Sequence, residues 1–215
     1  MPSDRPILAF DTSVAHCAAA LLWRGEIIAE AREPMAKGQA ERLMPLIEEM
    51  LISVGRGWRD VGGVAVGVGP GNFTGIRISV AAARGLALGL GVQAVGVTGP
   101  EMLAYGLTAR IRVATPAARN ALYVQDFAGG APLGPIREAN PDDADFWPET
   151  NLDLVGDWPE TGRKILRPDP AARIRAMAFV GAQKLAAGAP PPAPFYLRAA
   201  DAAPPSDPPP VILDA

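Results

Sequence analysis

The sequence predicts an α/β protein in which a mixed β-sheet is flanked by helices. Three short apolar runs lie within the first 31 residues, and two of them are joined by Arg24-Gly25, a two-residue turn that suits a β-hairpin. Residues 64–97 then alternate strand, helix and strand, as a βαβ unit with two parallel strands does. A sheet that contains both a hairpin and a βαβ unit has antiparallel and parallel neighbours.

The first elements follow from apolar runs and periodicity. Strands are predicted at residues 7–10, 17–23 and 26–31, since each is apolar and ends in polar or turn residues. The first helix is predicted at residues 41–54. Its apolar side chains cover an arc of about 160°, wider than the roughly 100° that a single core-facing stripe requires. Gly55 ends this helix.

The second helix, predicted at residues 73–90, carries almost no charge. It lies between predicted strands at residues 64–68 and 92–97, and its only ionisable side chains are Arg77 and Arg84. A helix that is apolar nearly all round must be buried nearly all round. One sheet covers one side of a helix, so the opposite side of this helix needs another cover.

The second half of the chain is less regular. The capping box Thr98–Glu101 begins a third helix, because each side chain can bond the other residue's backbone amide. The remaining predictions are a helix to about residue 107, strands at 111–114 and 121–127, loops with short elements at 129–170, and a helix at 171–187. From residue 189 the chain is rich in proline and alanine around one aromatic island, residues 194–198.

Composition restricts the classes of function. The net charge is −3 over 215 residues, which argues against a protein that binds nucleic acid by itself, because phosphate binding needs a basic face. A single cysteine, Cys17, excludes an internal disulfide and fits a reducing cytoplasm. The N-terminus lacks a signal-peptide pattern, and we expect no membrane span, because Arg77 and Arg84 interrupt the best candidate.

A glycine-rich corner, Gly69 to Arg77, joins the fourth predicted strand to the second helix. Such a corner can hold a phosphate on a helix N-terminus. The Walker A pattern fails because Ile76 follows Gly75, and the dinucleotide pattern fails because Thr74 stands where its last glycine belongs. We therefore favour a structural role, a tight turn that lets the second helix pack closely.

Asp11-Thr12-Ser13, after the first strand, is the candidate cofactor site. The aspartate could hold magnesium and phosphate with hydroxyls beside it, or the three residues could form a turn that bonds nearby backbone amides. The residue pattern favours neither the magnesium site nor the turn. The only histidine, His16, lies in a predicted turn, where we expect it to be solvated, and glutamine at Gln39 is a poor metal ligand. We predict no catalytic residue and no metal site.

The two helices with excess apolar surface predict a protein interface. Monomers rarely leave large apolar patches exposed, so either a second domain covers both helices or a partner subunit does, and we favour the partner. The predicted interface residues are Leu43, Ile47, Met50, Leu51, Phe73, Ile76, Arg77, Val80, Ala83 and Arg84.

Several segments together resemble the TsaB family, also called YeaZ. They are Ile7-Leu8-Ala9-Phe10-Asp11-Thr12-Ser13, Glu41-Arg42-Leu43-Met44-Pro45, Gly69-Pro70-Gly71-Asn72-Phe73-Thr74-Gly75-Ile76-Arg77 and Pro194-Phe195-Tyr196-Leu197-Arg198. The resemblance is strongest over residues 6–105 and weak over 110–190. TsaB is a bacterial subunit of the machinery that makes threonylcarbamoyladenosine beside the tRNA anticodon, and TsaD, of the glycoprotease-like family, is its catalytic paralogue.

The resemblance implies two lobes of the actin/sugar-kinase/Hsp70-like (ASKHA) class, each a mixed sheet flanked by helices. We expect an N-terminal lobe at residues 1–108, a smaller lobe at 109–200 and a mobile proline-rich tail at 201–215. It implies a cytoplasmic, non-catalytic subunit that pairs with TsaD, or with itself when alone, with TsaE docking on the pair. It also implies no cofactor of its own, ATP and magnesium only in the complex, indirect contact with tRNA, and no membrane.

Two departures weaken parts of the likeness. Gln39 stands where many relatives have histidine, and Pro116-Ala117-Ala118-Arg119 replaces a common Asp-Ala-Arg-Arg. The second departure weakens the argument that this lobe binds a nucleotide. Two alternatives stay open. One is an enzyme in its own right, an ATP-dependent transferase or glycoprotease-like hydrolase, because Asp11 faces the glycine corner. The other is a stand-alone homodimeric binding protein.

Overall fold

The five-stranded first sheet is mixed, as the sequence predicts. In this computed structural model, which describes residues 4–143, 152–156, 158 and 165–197, its strand order is β3-β2-β1-β4-β5. The strands are β1 (Ile7–Asp11), β2 (His16–Trp23), β3 (Glu26–Pro34), β4 (Gly63–Gly67) and β5 (Gln93–Val97). The first three pair antiparallel, whereas β1, β4 and β5 run parallel.

A second sheet follows, in the order β11-β10-β6-β7-β8, with β9 also paired to β7. Its strands are β6 (Ile111–Pro116), β7 (Leu122–Ala128), β8 (Ala131–Pro132), β9 (Arg137–Ala139), β10 (Asp153–Gly156) and β11 (Ile165–Leu166). β6 pairs antiparallel with β7 and parallel with β10, so this sheet is mixed too. The predicted two-lobe α/β class, with two mixed sheets and flanking helices, is confirmed.

The described residues contain four α-helices, and three of them enclose the first sheet. The helices are α1 (Gln39–Ser53), α2 (Phe73–Leu90), α3 (Gly99–Ala104) and α4 (Pro170–Ala186). α1 and α2 pack on one face of the first sheet and α4 on the other, whereas α3 contacts α4 and the second sheet. We predicted that residues 109–200 belong to the second lobe, but α4 returns to the first sheet. The lobe boundaries as a whole remain a prediction.

The two faces of the first sheet carry side chains of different size. Along β1, Leu8 and Phe10 point toward α1 and α2, whereas Ala9 points toward α4. β4 repeats this alternation, and its Ala65 lies so close to α4 that a Cβ at Gly181 would overlap the Ala65 side chain. Small residues on one face therefore bring α4 close to the strands, as the two-residue period of a strand allows.

α2 corrects our expectation about membrane spans. Its 18 residues have a mean hydropathy of 1.3, so by length and composition the helix could cross a bilayer in spite of its two arginines. In the structure 28% of this stretch is buried, and the buried side packs on the first sheet. The core helix of a globular protein can have the same length and composition, so this finding is weak support for a membrane segment.

Candidate functional site

A cavity of about 500 Å³ lies between the two sheets, at the carboxyl ends of the parallel strands β1 and β4. Asp11 and His16 line it from the first sheet, and Thr115 and Tyr123 line it from the second. Its other walls include apolar side chains of α3 and α4, namely Met102, Leu103, Ile174 and Met177. In open α/β sheets this edge is the usual place for a ligand.

His16 corrects a prediction. We expected a solvated histidine in a turn, but His16 begins β2 and is only 5% exposed. Its Nε2 lies 3.0 Å from Oδ2 of Asp11, which is itself 4% exposed. An ionised carboxylate can only accept hydrogen bonds, so His16 is the donor in this pair. The other carboxylate oxygen, Oδ1, accepts the backbone amide of Ser13 at 2.9 Å.

The surroundings of Asp11 lower its pKa. Burial alone would raise the pKa of this carboxyl group, because it penalises the charged form. The hydrogen bond from His16, the electrostatic attraction between the two side chains and the bond from the Ser13 amide outweigh that penalty. Asp11 is therefore an ionised group whose oxygens are already engaged by its own protein.

The glycine corner is packed against the turn that follows β1. A Cβ on Gly67 would overlap the Asp11 carboxylate, and a Cβ on Gly75 would overlap the carbonyl oxygen of Thr12. The Thr12 hydroxyl donates to the carbonyl of Gly75 at 2.6 Å, and the Asn72 side chain accepts the Gly75 amide at 3.0 Å. The chain's own groups thus cap the N-terminus of α2, and the structural interpretation of this corner is confirmed.

Gln39 holds the same turn from the other side, a role that the sequence did not reveal. Its side-chain amide nitrogen donates toward the carbonyl oxygens of Thr12, Val14 and His16, at 3.2, 2.8 and 2.7 Å. Gln39 is 6% exposed, so these bonds lie away from water. Because the partners lie 23 to 27 residues away in the chain, no local pattern could have identified them.

We expect Gln39→Leu to lower the free energy of unfolding by about 2–3 kcal/mol, because buried carbonyls lose their donor. Gln39→Glu is expected to cost more, since it also buries a carboxylate against these carbonyl oxygens, where it has no donor to bind. Urea unfolding measures both changes. Gln93→Leu, at an exposed position of β5, is the matched control and should stay within about 0.5 kcal/mol of wild type. Equal stability of Gln39→Leu and this control would show that Gln39 does not hold the turn after β1.

Cys17 behaves as predicted, as a small buried apolar residue. It is fully buried in the core between the first sheet and α1. Burial, together with the nearby charge of Glu33, raises the pKa of its thiol to about 11. At neutral pH the thiol therefore stays protonated and is a poor nucleophile.

The cavity offers few groups for chemistry. Among the described residues no three histidine, cysteine, aspartate or glutamate side chains come together as metal ligands would. Of the predicted cofactor residues, Asp11 and Ser13 line the cavity, whereas Thr12 is fully buried and bonded to α2. The structure thus brings the three residues together, but as a turn stabilised by internal bonds.

The predicted partner interface needs a correction. Seven of its ten residues are at most 4% exposed, because the apolar stripes of α1 and α2 face the first sheet. The seven are Leu43, Ile47, Met50, Leu51, Ile76, Val80 and Ala83. Such residues have no surface left for a partner in this conformation. Phe73, Arg77 and Arg84 are exposed and stay predicted contact residues.

The sides of α1 and α2 that face away from the sheet nevertheless carry exposed apolar side chains, which on α1 lie among the exposed acids Glu41, Glu48 and Glu49. On α1, Met44 is 38% and Ile52 is 67% exposed, and on α2, Leu88 is 87% exposed. Small residues, Ala81 and Gly85, surround Leu88 on the exposed side of α2. We call Met44, Ile52, Ala81, Gly85 and Leu88 the outer face. It is the surface that the first lobe offers where the sequence predicts a partner.

One family model and several known proteins are similar to this chain. A family model described as TsaD: tRNA N6-adenosine threonylcarbamoyltransferase matches residues 28–130. The chain is 38% identical over 92 residues to tRNA threonylcarbamoyladenosine biosynthesis protein TsaB of Haemophilus influenzae, an alignment that covers 43% of this chain and 39% of the relative. It is 30% identical over 207 residues to an uncharacterized protein of Mycobacterium tuberculosis, which covers 92% and 94% of the two chains.

A solved structure extends the similarity over the fold. YeaZ from Pseudomonas aeruginosa superposes with a TM-score of 0.65 at 25% identity, and the match covers 90% of this chain and all of that one. The matches to curated TsaB proteins span less than half the length of those relatives. The likeness to the curated TsaB proteins covers less than half of this chain, whereas the likeness to the mycobacterial protein and to the YeaZ structure covers about nine tenths of it.

Proposed function

This chain belongs to the TsaB/YeaZ family, and on that basis we propose that it is a non-catalytic subunit in tRNA threonylcarbamoyladenosine biosynthesis. It supports the transfer of a threonylcarbamoyl group to N6 of the adenosine next to the anticodon by pairing with TsaD. The pathway named by its curated relatives and the TsaD family model that matches residues 28–130 support the proposal. That matched range includes both α1 and α2.

The outer face carries the proposal. Leu88 is exposed for 87% of its surface on a helix that contains no acidic residue, and Ile52 of the neighbouring helix is 67% exposed. Exposed apolar side chains that lie close together mark protein contacts more often than they mark free surface. The small residues Ala81 and Gly85 allow another helix to approach closely.

The cavity supports a non-catalytic role. Both carboxylate oxygens of Asp11 accept bonds within the protein, from His16 and from the Ser13 amide. These two bonds hold the carboxylate in the turn after β1, as a structural role requires. Two glycines of the corner that could have cradled a phosphate, Gly71 and Gly75, instead lie against the backbone carbonyls of Ser13 and Thr12.

We expect Leu88→Glu to weaken binding to the cognate TsaD at least about tenfold, since it buries a charge in an apolar contact. Calorimetry gives the affinity, and threonylcarbamoyladenosine formed by the reconstituted complex gives the functional effect. Val80 and Ala83 are unsuitable for this test, because they are buried and a charge there would damage the fold.

Leu133→Glu is the matched control for Leu88→Glu. Leu133 is an exposed leucine, 54% accessible, that follows β8 in the second sheet, and a charge there should leave the affinity unchanged. Wild-type protein that fails to bind TsaD would refute the proposed function. Equal affinities of the two variants would refute the outer face as the contact surface.

The remaining parts of the proposal follow from the family. TsaE docks on the TsaB–TsaD pair, and tRNA reaches this subunit only through the complex. The chain forms a homodimer when TsaD is absent, acts in the cytoplasm and requires no cofactor of its own, whereas ATP and magnesium act in the complex. Light scattering with and without TsaD distinguishes this subunit from a stand-alone homodimeric binding protein, which would keep the same mass after TsaD is added.

A second candidate is an ATP-dependent transferase or hydrolase, favoured by the position of Asp11 at the mouth of a cavity that lies at the carboxyl ends of parallel strands. Calorimetric titration of the isolated chain with ATP and magnesium tests it. Tight binding that Tyr123→Ala abolishes would favour the enzyme, because Tyr123 lines the cavity opposite Asp11. Absence of binding at millimolar nucleotide would favour the subunit.

A further inference from the structure

The chain leaves α4 on one side of the first sheet and reaches α2 on the other. Near the end of α4, Lys184 bonds the carbonyl of Gly96 in β5 at 2.9 Å. Eleven residues beyond Lys184, the amide of Phe195 donates to the carbonyl of Val68 at 2.9 Å, and the Phe195 ring packs into the core shared with α1 and α2. We call residues 187–197 the strap.

The strap contacts α2 through each of the three exposed residues that the sequence assigns to a partner interface. The Nε of Arg84 donates to the carbonyl of Pro192 at 2.8 Å. The Nε of Arg77 donates to the Tyr196 hydroxyl at 3.2 Å, and the rings of Tyr196 and Phe73 lie 4.9 Å apart between centroids. The end of the strap is therefore built into the surface of α2.

Phe73, Arg77 and Tyr196 form one exposed cluster, which we call the aromatic patch. The Arg77 guanidinium carbon lies 3.9 Å from the centre of the Phe73 ring, and Phe73 and Tyr196 are 36% and 40% exposed. The terminal nitrogens of Arg77 have no hydrogen-bond partner among the described residues. Tyrosine and arginine are the residue types that most often dominate binding energy at protein interfaces.

We propose that the strap completes the partner-binding surface and that Tyr196 is a direct contact residue for the partner subunit. The inference rests on the proposed function. The partner chemistry that fits is a helix that places an apolar side chain against the two rings and a carboxylate opposite Arg77. Charge complementarity supports this occupant, because α2 carries two arginines and no acid.

The patch is continuous with the α2 part of the outer face, since two of its three residues lie on α2. Phe73 and Arg77 occupy the first turns of the helix, and Ala81, Gly85 and Leu88 follow at helical spacing toward its end. A helix laid along α2 would contact both regions. The bond from Phe195 to Val68 and the proline-rich backbone hold Tyr196 in place before binding, which lowers the entropic cost of association.

Tyr196→Ala tests the inference, with Tyr105→Ala as the matched control. Tyr105 is 39% exposed and stacks on Phe179 of α4 at 5.4 Å, so it has the same exposure and a similar ring contact on the opposite side of the sheet. Calorimetry measures the affinity of each full-length variant for the cognate TsaD. We expect a loss of at least about tenfold for Tyr196→Ala and less than about twofold for Tyr105→Ala.

Arg77→Gln is the second variant, because it keeps the strap residues intact and removes the charge together with the guanidinium contacts to Tyr196 and Phe73. We expect it to weaken binding and to reduce the dependence of the affinity on salt. Thermal unfolding of all variants shows whether the first lobe remains folded.

The outcomes separate the two proposals. Wild-type chain that does not bind TsaD overturns the proposed function and this inference with it. Binding that Tyr196→Ala and Arg77→Gln leave unchanged overturns only this inference. Tighter binding by Tyr196→Ala also overturns it, because the strap would then compete with the partner. Variants that change self-association and leave TsaD affinity unchanged would assign the patch to a second copy of this chain.

Discussion

Gly75→Ala is expected to lower the free energy of unfolding by about 3 kcal/mol or more, at or above the usual range of about 1–3 kcal/mol for overpacking. The added Cβ would overlap the carbonyl oxygen of Thr12, which is backbone and cannot rotate away. To make room, α2 must move from the turn after β1, and that movement would break the 2.6 Å bond from the Thr12 hydroxyl to the Gly75 carbonyl. Urea unfolding followed by circular dichroism measures the loss.

Gly85→Ala is the matched control, since it makes the same substitution ten residues later in the same helix. No atom lies within 4 Å of the position its Cβ would take. Alanine is the better helix former by about 1 kcal/mol, so this variant should be slightly more stable than wild type. If Gly75→Ala were as stable as Gly85→Ala, α2 would not depend on close contact with the turn.

His16→Ala is expected to lower the free energy of unfolding by about 3 kcal/mol, because a buried acceptor that loses its donor costs about 1–3 kcal/mol, and more when it is charged. Asp11 is 4% exposed and would keep a buried carboxylate without the hydrogen bond from His16. Asp11→Asn in the same variant should restore part of the loss, because an amide is cheaper to bury than an unpaired charge. Additive effects of the two changes would contradict a direct coupling between these side chains.

The acid limb of the stability curve provides an independent measurement of the same pair. The pKa of Asp11 is lowered from its ordinary 3.8, so the folded chain binds fewer protons there than the unfolded chain between the two values. The stabilisation that ionised Asp11 contributes is therefore complete above about pH 4, and it is lost as the pH falls through the pKa of Asp11 in the folded chain. One proton corresponds to a slope of about 1.4 kcal/mol per pH unit.

Removing His16 should move this loss of stability to higher pH. Burial, which raises the pKa of Asp11, would then act without the bond and the charge that oppose it. Glu33 and Glu49 also have lowered pKa values, because each bonds Arg42, but they contribute equally in both proteins. The difference between wild-type and His16→Ala curves measures the contribution of the Asp11–His16 pair, and superimposable curves would show that the pair is energetically unimportant.

The helix bounds show how far local signals determine structure. α2 begins at Phe73 and ends at Leu90, as predicted, because the Asn72 side chain caps its first turn and Gly91 follows in the left-handed conformation. α3 ends at Ala104, three residues before the predicted end. Its start, marked by the capping box of Thr98 and Glu101, is confirmed. Caps act within a turn of helix, so a sequence pattern contains them completely.

The orientation of the same helices was harder to predict. The sequence indicated that α1 and α2 carry more apolar surface than one stripe needs, but it could not tell which residues face the sheet. The structure places Ile76 and Val80 toward the sheet and Leu88 toward solvent. A periodic pattern defines a stripe, whereas the direction of that stripe depends on strands that the chain folds against it.

By itself the sequence determined the class of fold, the order of its main strands and helices, the structural use of the glycine corner and the likeness to one family. Each of these depends on neighbours within a few residues. Tertiary structure alone decided that His16 pairs with Asp11, that Gln39 holds the turn after β1 and that Tyr196 joins α2. Arg77 and Tyr196 are 119 residues apart, and contacts over such a separation form only when burial of the whole core brings the segments together.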